Sequence, residues 1–330
     1  VGRGKSMLVG IVGVLALVSA GCSADEESTT ESDRTTVVEH KFGSTTVEGI
    51  PERIVAGGSQ WVDALLELGV EPIAYLSAGD QGDERGLYPW QEDLSEDAQE
   101  LDRSTLTQIG APLPEEEIAA LQPDLILASF AVTSQTGFDR LNTIAPTVSE
   151  LGDAQVDSWE DQLTVLGRIL DKEDEAAKVI EERNAAIDDL AAEFPGLEGK
   201  TAVLSQYMFA TNQLIVVADP DDGAAQTFRR LGMSVPPALV DEAGAVGGRL
   251  TLSPERVDAL VADLVVMLPN GGTQEQLEAL PGFADLPAVQ GGGLAVVDYP
   301  TVVGFNTPSS RSVAYSLDQI MPQLEAVARA

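Results

Sequence analysis

The chain has 330 residues and a formal net charge of −35, with 54 acidic against 19 basic side chains. So acidic a surface excludes nucleic acid and anionic lipid headgroups as binding partners. One histidine and one cysteine among all those residues exclude a disulfide framework, a thiolate metal site and the His clusters that hold free zinc or manganese.

The amino terminus reads as a leader. Arg3 and Lys5 form a basic region, and residues 7–20 make an apolar run of signal-peptide length, shorter than a membrane span. The run ends in Leu17-Val18-Ser19-Ala20-Gly21-Cys22, which resembles a bacterial lipobox. Small residues before the cysteine suit a lipoprotein signal peptidase, and the Cys22 thiol is the expected acylation point. Residues 1–21 are therefore expected to be the signal peptide, and their removal with Arg3 and Lys5 takes the charge to −37. Residues 22–36 are rich in Ser, Thr, Asp and Glu without apolar periodicity, the composition of a disordered tether. Each acyl CH₂ buried in a bilayer contributes about 0.8 kcal/mol to anchoring. The mature protein is expected on the extracytoplasmic face of the cell membrane.

Residues 36–49 predict a hairpin, 50–56 a turn and strand, and 61–68 a helix stopped by Gly69. Residues 70–76 read as a strand and 80–102 as polar and irregular, with Tyr88-Pro89-Trp90 inside. Residues 104–114 lead to Glu116-Glu117-Ile118-Ala119-Ala120-Leu121-Gln122-Pro123-Asp124-Leu125-Ile126-Leu127. This segment returns as Glu255-Arg256-Val257-Asp258-Ala259-Leu260-Val261-Ala262-Asp263-Leu264-Val265-Val266. Each copy reads as a short helix opened by an exposed Glu, an Asp-led turn and an apolar strand, and the acid suits the positive end of the helix dipole. Between the copies lie amphipathic helices at 159–170 and 173–193, the latter stopped by Pro195-Gly196. Strands at 202–205 and 294–299, a helix at 225–231 and a last helix from Arg311 toward Ala328, capped by Ser309 or Ser310, complete the pass. The expected organisation is an α/β lobe at 37–171, a connecting helix at 172–195 and a second α/β lobe at 196–330.

Several segments together resemble the iron–siderophore/cobalamin substrate-binding proteins of ABC importers. They are Pro51-Glu52-Arg53-Ile54-Val55, Leu68-Gly69-Val70 with Pro72-Ile73-Ala74, the first repeat from Glu116, Ile144-Ala145-Pro146-Thr147-Val148, Leu231-Gly232-Met233 and Leu252-Ser253 with Glu255. The resemblance implies two Rossmann-like lobes joined by one long α-helix, the class III periplasmic-binding-protein fold. It also implies a cleft that holds a ferric siderophore, without enzymatic activity or a resident cofactor, and delivery to an ABC permease by a monomer. Glu116 and Glu255 match the acids that dock onto permease arginines. Trp61, Tyr88, Trp90, Tyr207, Arg249, Tyr299 and Arg311 are the candidate ligand contacts, because aromatic faces and cations suit a ferric chelate. Gln108 to Pro114 carries no basic residue, where hydroxamate binders of this family tend to place an arginine. Cobalamin and haem are the alternative ligands within this fold. A sensor or an extracellular enzyme is the alternative outside it, although the sequence has no Gly-x-Ser-x-Gly elbow.

Overall fold

The first described element is a hairpin. β1 (Thr35–His40) and β2 (Gly43–Glu48) pair antiparallel, and period-two alternation turns Thr36, Val38, His40, Thr45 and Val47 inward. The computed structural model describes residues 34–101, 113–128, 132–152, 156–246 and 248–330, with the side chains of 245 and 246 left aside. The leader, Cys22, the tether through residue 33 and most of residues 104–114 lie outside the described residues. The end of the expected tether is corrected. Thr35 and Thr36 belong to β1, and Arg34 pairs with Asp171 and with Glu173 at 2.9 Å.

The first lobe is a parallel sheet wrapped by helices. In chain order come β3 (Ile54–Ala56), α1 (Ser59–Glu67), β4 (Ala74–Leu76), β5 (Gln99–Leu101) and α2 (Glu115–Leu121). β6 (Leu125–Leu127), α3 (Gln135–Asn142), β7 (Thr147–Val148) and α4 (Trp159–Leu170) follow. The strand order is β5-β4-β3-β6-β7, all parallel. β3 and β6 are wholly buried, as expected for central strands covered on both faces.

α5 (Glu173–Glu193) is the connecting helix, with the bounds its pattern predicts. Its first half places Ala176, Val179 and Ile180 against the first-lobe core. Its second half gives Ile187, Leu190 and Ala191 to the second. One helix thus contributes to two hydrophobic cores, so it ties the lobes together as a structural member.

The second lobe contains β8 (Ala202–Met208), β9 (Gln213–Val217), α6 (Gly223–Arg230), α7 (Pro237–Val246), β10 (Arg249–Leu252) and β11 (Leu264–Asn270). It continues with α8 (Gln274–Glu278), α9 (Pro287–Gly291), β12 (Leu294–Val296), α10 (Tyr299–Asn306), α11 (Ser312–Gln319) and α12 (Met321–Arg329). Its sheet runs β10-β9-β8-β11-β12; β8, β11 and β12 are parallel, while β9 and β10 are antiparallel to their neighbours. The single last helix expected from the sequence is two helices. Pro322 sits in the first turn of α12, where its missing N–H costs nothing, whereas inside a continuous helix it would break the ladder.

The two repeat copies occupy equivalent places. β6 lies beside β3 with Leu125 opposite Ile54, and β11 lies beside β8 with Leu264 opposite Ala202. The first copy opens with α2 and the second with a 3₁₀ turn, Pro254–Ala259. Both sheets reverse their order at this pair, the point where doubly wound sheets open a crevice.

Candidate functional site: the seam between the lobes

Gly57 follows β3 at the first lobe's order reversal. Its N–H donates to the Leu127 carbonyl at 2.7 Å, and an added Cβ would lie 2.8 Å from that oxygen. A side chain there would part β3 from β6, so glycine keeps the crevice edge closed. α1 starts two residues later and carries two different faces. Trp61, Leu65 and Leu68 recur at helical spacing and enter the first-lobe core. Gln60, Asp63 and Glu67 lie on a second stripe that meets the other lobe.

That second stripe builds the seam. Gln60 Nε2 donates to the Pro308 carbonyl at 2.6 Å, and Ser309 Oγ donates to Asp63 Oδ2 at 2.5 Å. Trp90 Nε1 also donates to Oδ2, at 2.8 Å, and Gln91 Nε2 to Oδ1 at 2.6 Å. Asp63 is 1% exposed, and burial pushes its pKa up to about 7 against the pull of these donors and Arg311. Arg311 forks onto Asp93 at 2.6 and 3.0 Å and donates to the Trp90 carbonyl at 3.3 Å. This guanidinium holds the Asp93 carboxyl below the usual range. Glu67 lies between Arg311, at 3.8 Å, and Arg183 of α5, at 3.0 Å.

The other flank of the seam is backbone against backbone. Gly223 N–H donates to the Val156 carbonyl at 3.1 Å, and a Cβ at Gly223 would lie 2.7 Å from the Asp157 carbonyl oxygen. Beside it, Arg249 bonds both carboxylate oxygens of buried Asp222, at 2.9 and 3.1 Å, and Asn306 Oδ1 at 2.6 Å. Asp222 precedes Gly223 and Asn306 lies two residues before Pro308, both in contact with the first lobe, so the Arg249–Asp222 pair braces the second lobe's side of the seam.

The structure gathers some predicted ligand residues and separates others. Tyr88 stacks on Trp90 with ring centroids 4.8 Å apart, Trp90 meets Tyr315 at 5.3 Å, and Arg311 closes the group. Arg249 is at the seam, already held by Asp222. Tyr299 opens α10 and is half-buried against the second-lobe core. Trp61 and Tyr207 differ from the expectation that they face a ligand: both are almost wholly buried in their lobe cores. Trp61 lies on the core stripe of α1, and Tyr207 points its hydroxyl at Asn212 Oδ1, 2.5 Å away. The sequence reading missed Asp63 and Ser309. The available signal was an acid at helical position 63 amid Trp61, Val62, Ala64 and Leu65, since a charge among buried neighbours requires partners.

Glu116 and Glu255 are both exposed in the first turn of their short helices. Glu115 is engaged by Arg140 at 2.8 Å, and Glu117 by Gln99 at 2.8 Å. Glu116 has no partner among the described residues. The Ser253 hydroxyl and a backbone N–H hold the Glu255 carboxyl below its usual range. Among the described residues no group of three or more His, Cys, Asp or Glu is placed to hold a bare metal ion, and no helix is long and apolar enough to cross a membrane.

Comparison with known proteins follows the same architecture. The chain is 26% identical over 311 residues to the Fe(3+)-citrate-binding protein YfmC of Bacillus subtilis, covering 91% of this chain and 92% of that one. It is 29% identical over 213 residues to the probable siderophore-binding lipoprotein YfiY of the same organism, covering 63% and 62%. Among solved structures, Streptococcus pneumoniae PiaA in complex with ferrichrome superimposes with a TM-score of 0.74 at 24% identity, covering 89% of this chain and 99% of that one. Two Rossmann-like lobes on one long helix are the class III form of this fold. The profile of the periplasmic binding protein family matches residues 54–300, and the chain belongs to that family.

Proposed function

We propose that the protein is an extracytoplasmic receptor, lipid-anchored through Cys22, that holds a ferric siderophore between its lobes and delivers it to an ABC importer. The observation that carries this reading is the seam itself. Two lobes tied by α5 meet along a surface where Tyr88, Trp90 and Arg311 cluster, supplying stacked aromatic faces and a cation to a polar chelate. The Fe(3+)-citrate and siderophore binding named for the relatives supports the same cargo class. Tyr88, Trp90, Arg249, Tyr299 and Arg311 are the proposed contacts, while Trp61 and Tyr207 lie in the lobe cores. Exposed Glu116 and Glu255, one per lobe, are the proposed docking points for arginines of the permease. The protein acts as a monomer and binds its cargo without chemical conversion.

Tryptophan fluorescence tests the reading. The domain from Ser23 onward is titrated with ferric siderophores, ferric citrate, haem and cobalamin. Saturable sub-micromolar quenching by one ferric chelate, absent with its iron-free form, is the expected result. A folded protein silent to the whole panel refutes the assignment.

A further inference from the structure

We propose that a cavity between α5 and α11 is a second binding site, one that takes a compact organic cation: a ring-sized apolar body carrying an ammonium group. The inference goes beyond the cargo reading and does not depend on it, because none of the proposed cargo contacts lines this cavity.

The space measures about 230 Å³ and is completed by Trp159 at the start of α4. Trp159 and Ile187 belong to different lobe cores, yet both reach it, together with Val313 and Leu317 of α11. Both lobes and the connecting helix therefore contribute, and only their assembly creates the site. All four side chains are buried, so packing fixes the walls before any ligand arrives. A void of about 150 Å³ with comparable walls is enough to hold benzene. This one has room for a ring and a short chain, and its apolar lining favours an occupant whose body is apolar too.

The rim decides the charge. Two charged residues line the space, Arg183 of α5 and Asp318 of α11. The Arg183 guanidinium is already engaged by Glu67 at 3.0 Å. Asp318 is exposed, and its carboxylate has no partner among the described residues. Nearby Arg311 supplies no spare cation either, since it forks onto Asp93. An anionic ligand would thus meet an unpaired carboxylate, whereas an ammonium group would pair with it. Trp159 adds an aromatic wall, which again favours a cation. The formal charge of −35 on the whole chain biases approach in the same direction.

The test compares one body in three charge states. Heteronuclear NMR of the chain from Ser23 onward, which contains every described residue, follows the Trp159 indole N–H, assigned with Trp159→Phe. The probes are phenethylamine, phenethyl alcohol and hydrocinnamate. The amine is expected to move the resonance saturably, with an affinity about fivefold above that of the alcohol, and the anion is expected not to bind. Asp318→Asn should bring the amine down to the affinity of the alcohol, and Asp318→Lys should let hydrocinnamate bind. Ala314 is an exposed lining residue, and Ala314→Phe should fill the space and abolish amine binding. An unmoved resonance, equal affinities for amine and alcohol, or amine binding that survives Ala314→Phe overturns the proposal. Should Ala314→Phe fail to fold, the two substitutions of surface Asp318 decide, and an undiminished preference for the amine in both overturns it.

Discussion

Asp124 and Asp263 perform the same task in the two lobes. Asp124 accepts the backbone N–H groups of Glu52 and Arg53 at 2.9 and 2.8 Å, just ahead of β3. Asp263 accepts the Thr201 N–H and hydroxyl, both at 2.8 Å, just ahead of β8. Each carboxylate thus aligns the first strand of its lobe with the strand it pairs beside, which gives the repeated sequence a structural reason.

Asp124→Ala and Asp263→Ala are each expected to destabilise their lobe by about 1–2 kcal/mol, since charge-assisted bonds to backbone are lost at a partly wetted site. For Asp263, burial opposes ionisation, but the Thr201 bonds and Lys200 outweigh it and hold the pKa below the usual carboxylate range. Its contribution is therefore present above the usual carboxylate range and lost as pH falls through the lowered value. Urea denaturation of both variants at neutral pH, repeated in acid for Asp263→Ala, checks this.

Breaking the Arg249–Asp222 pair is expected to cost more. The side chains are 12% and 1% exposed, and Arg249→Met strands a buried carboxylate, for about 3–5 kcal/mol. Arg249→Lys, which cannot fork onto both oxygens, should fall between. Equilibrium unfolding provides the number, and a neutral Arg249→Met would show that the pair is dispensable.

His40 carries a pH effect of its own. Burial lowers its pKa against the opposing pull of Glu39, and the ring lies between Thr45 Oγ1 at 2.9 Å and Ser149 Oγ at 3.0 Å. The folded state prefers the neutral ring, so the unfolded chain takes up a proton first and stability declines as pH falls through the unfolded value, about 6.5. His40→Gln should remove that decline in a melting-temperature series. A decline that persists in the variant would assign it to another group.

Permease engagement is expected to depend on two exposed acids and leave cargo affinity alone. Glu116→Gln and Glu255→Gln should each slow uptake several-fold to about tenfold, more so together and less at high salt, because exposed charges mainly steer association. Ligand titration beside cellular uptake separates the two properties. A matching loss of affinity would place these residues in the cargo site instead.

Much of this architecture is local and therefore visible in the chain. The bounds of α5, the paired copies at Glu116 and Glu255 and the hairpin beginning near Thr36 follow from side-chain periodicity, which each short segment carries for itself. The antiparallel turn of β9 and β10 is less visible, because parallel and antiparallel strands share one alternation and differ only in their distant partners.

The candidate site divides in the same way. Sequence by itself determined the lobe–helix–lobe order and the supply of aromatic and basic residues. Only the tertiary structure decided that Trp61 faces the core while Asp63, two residues on, faces Ser309 of the other lobe. A helix assigns its faces by which neighbours it meets, and those neighbours lie far away in the chain. The pKa of Asp63 is likewise pushed up by burial against the pull of Ser309, Gln91, Trp90 and Arg311, an environment no stretch of sequence contains.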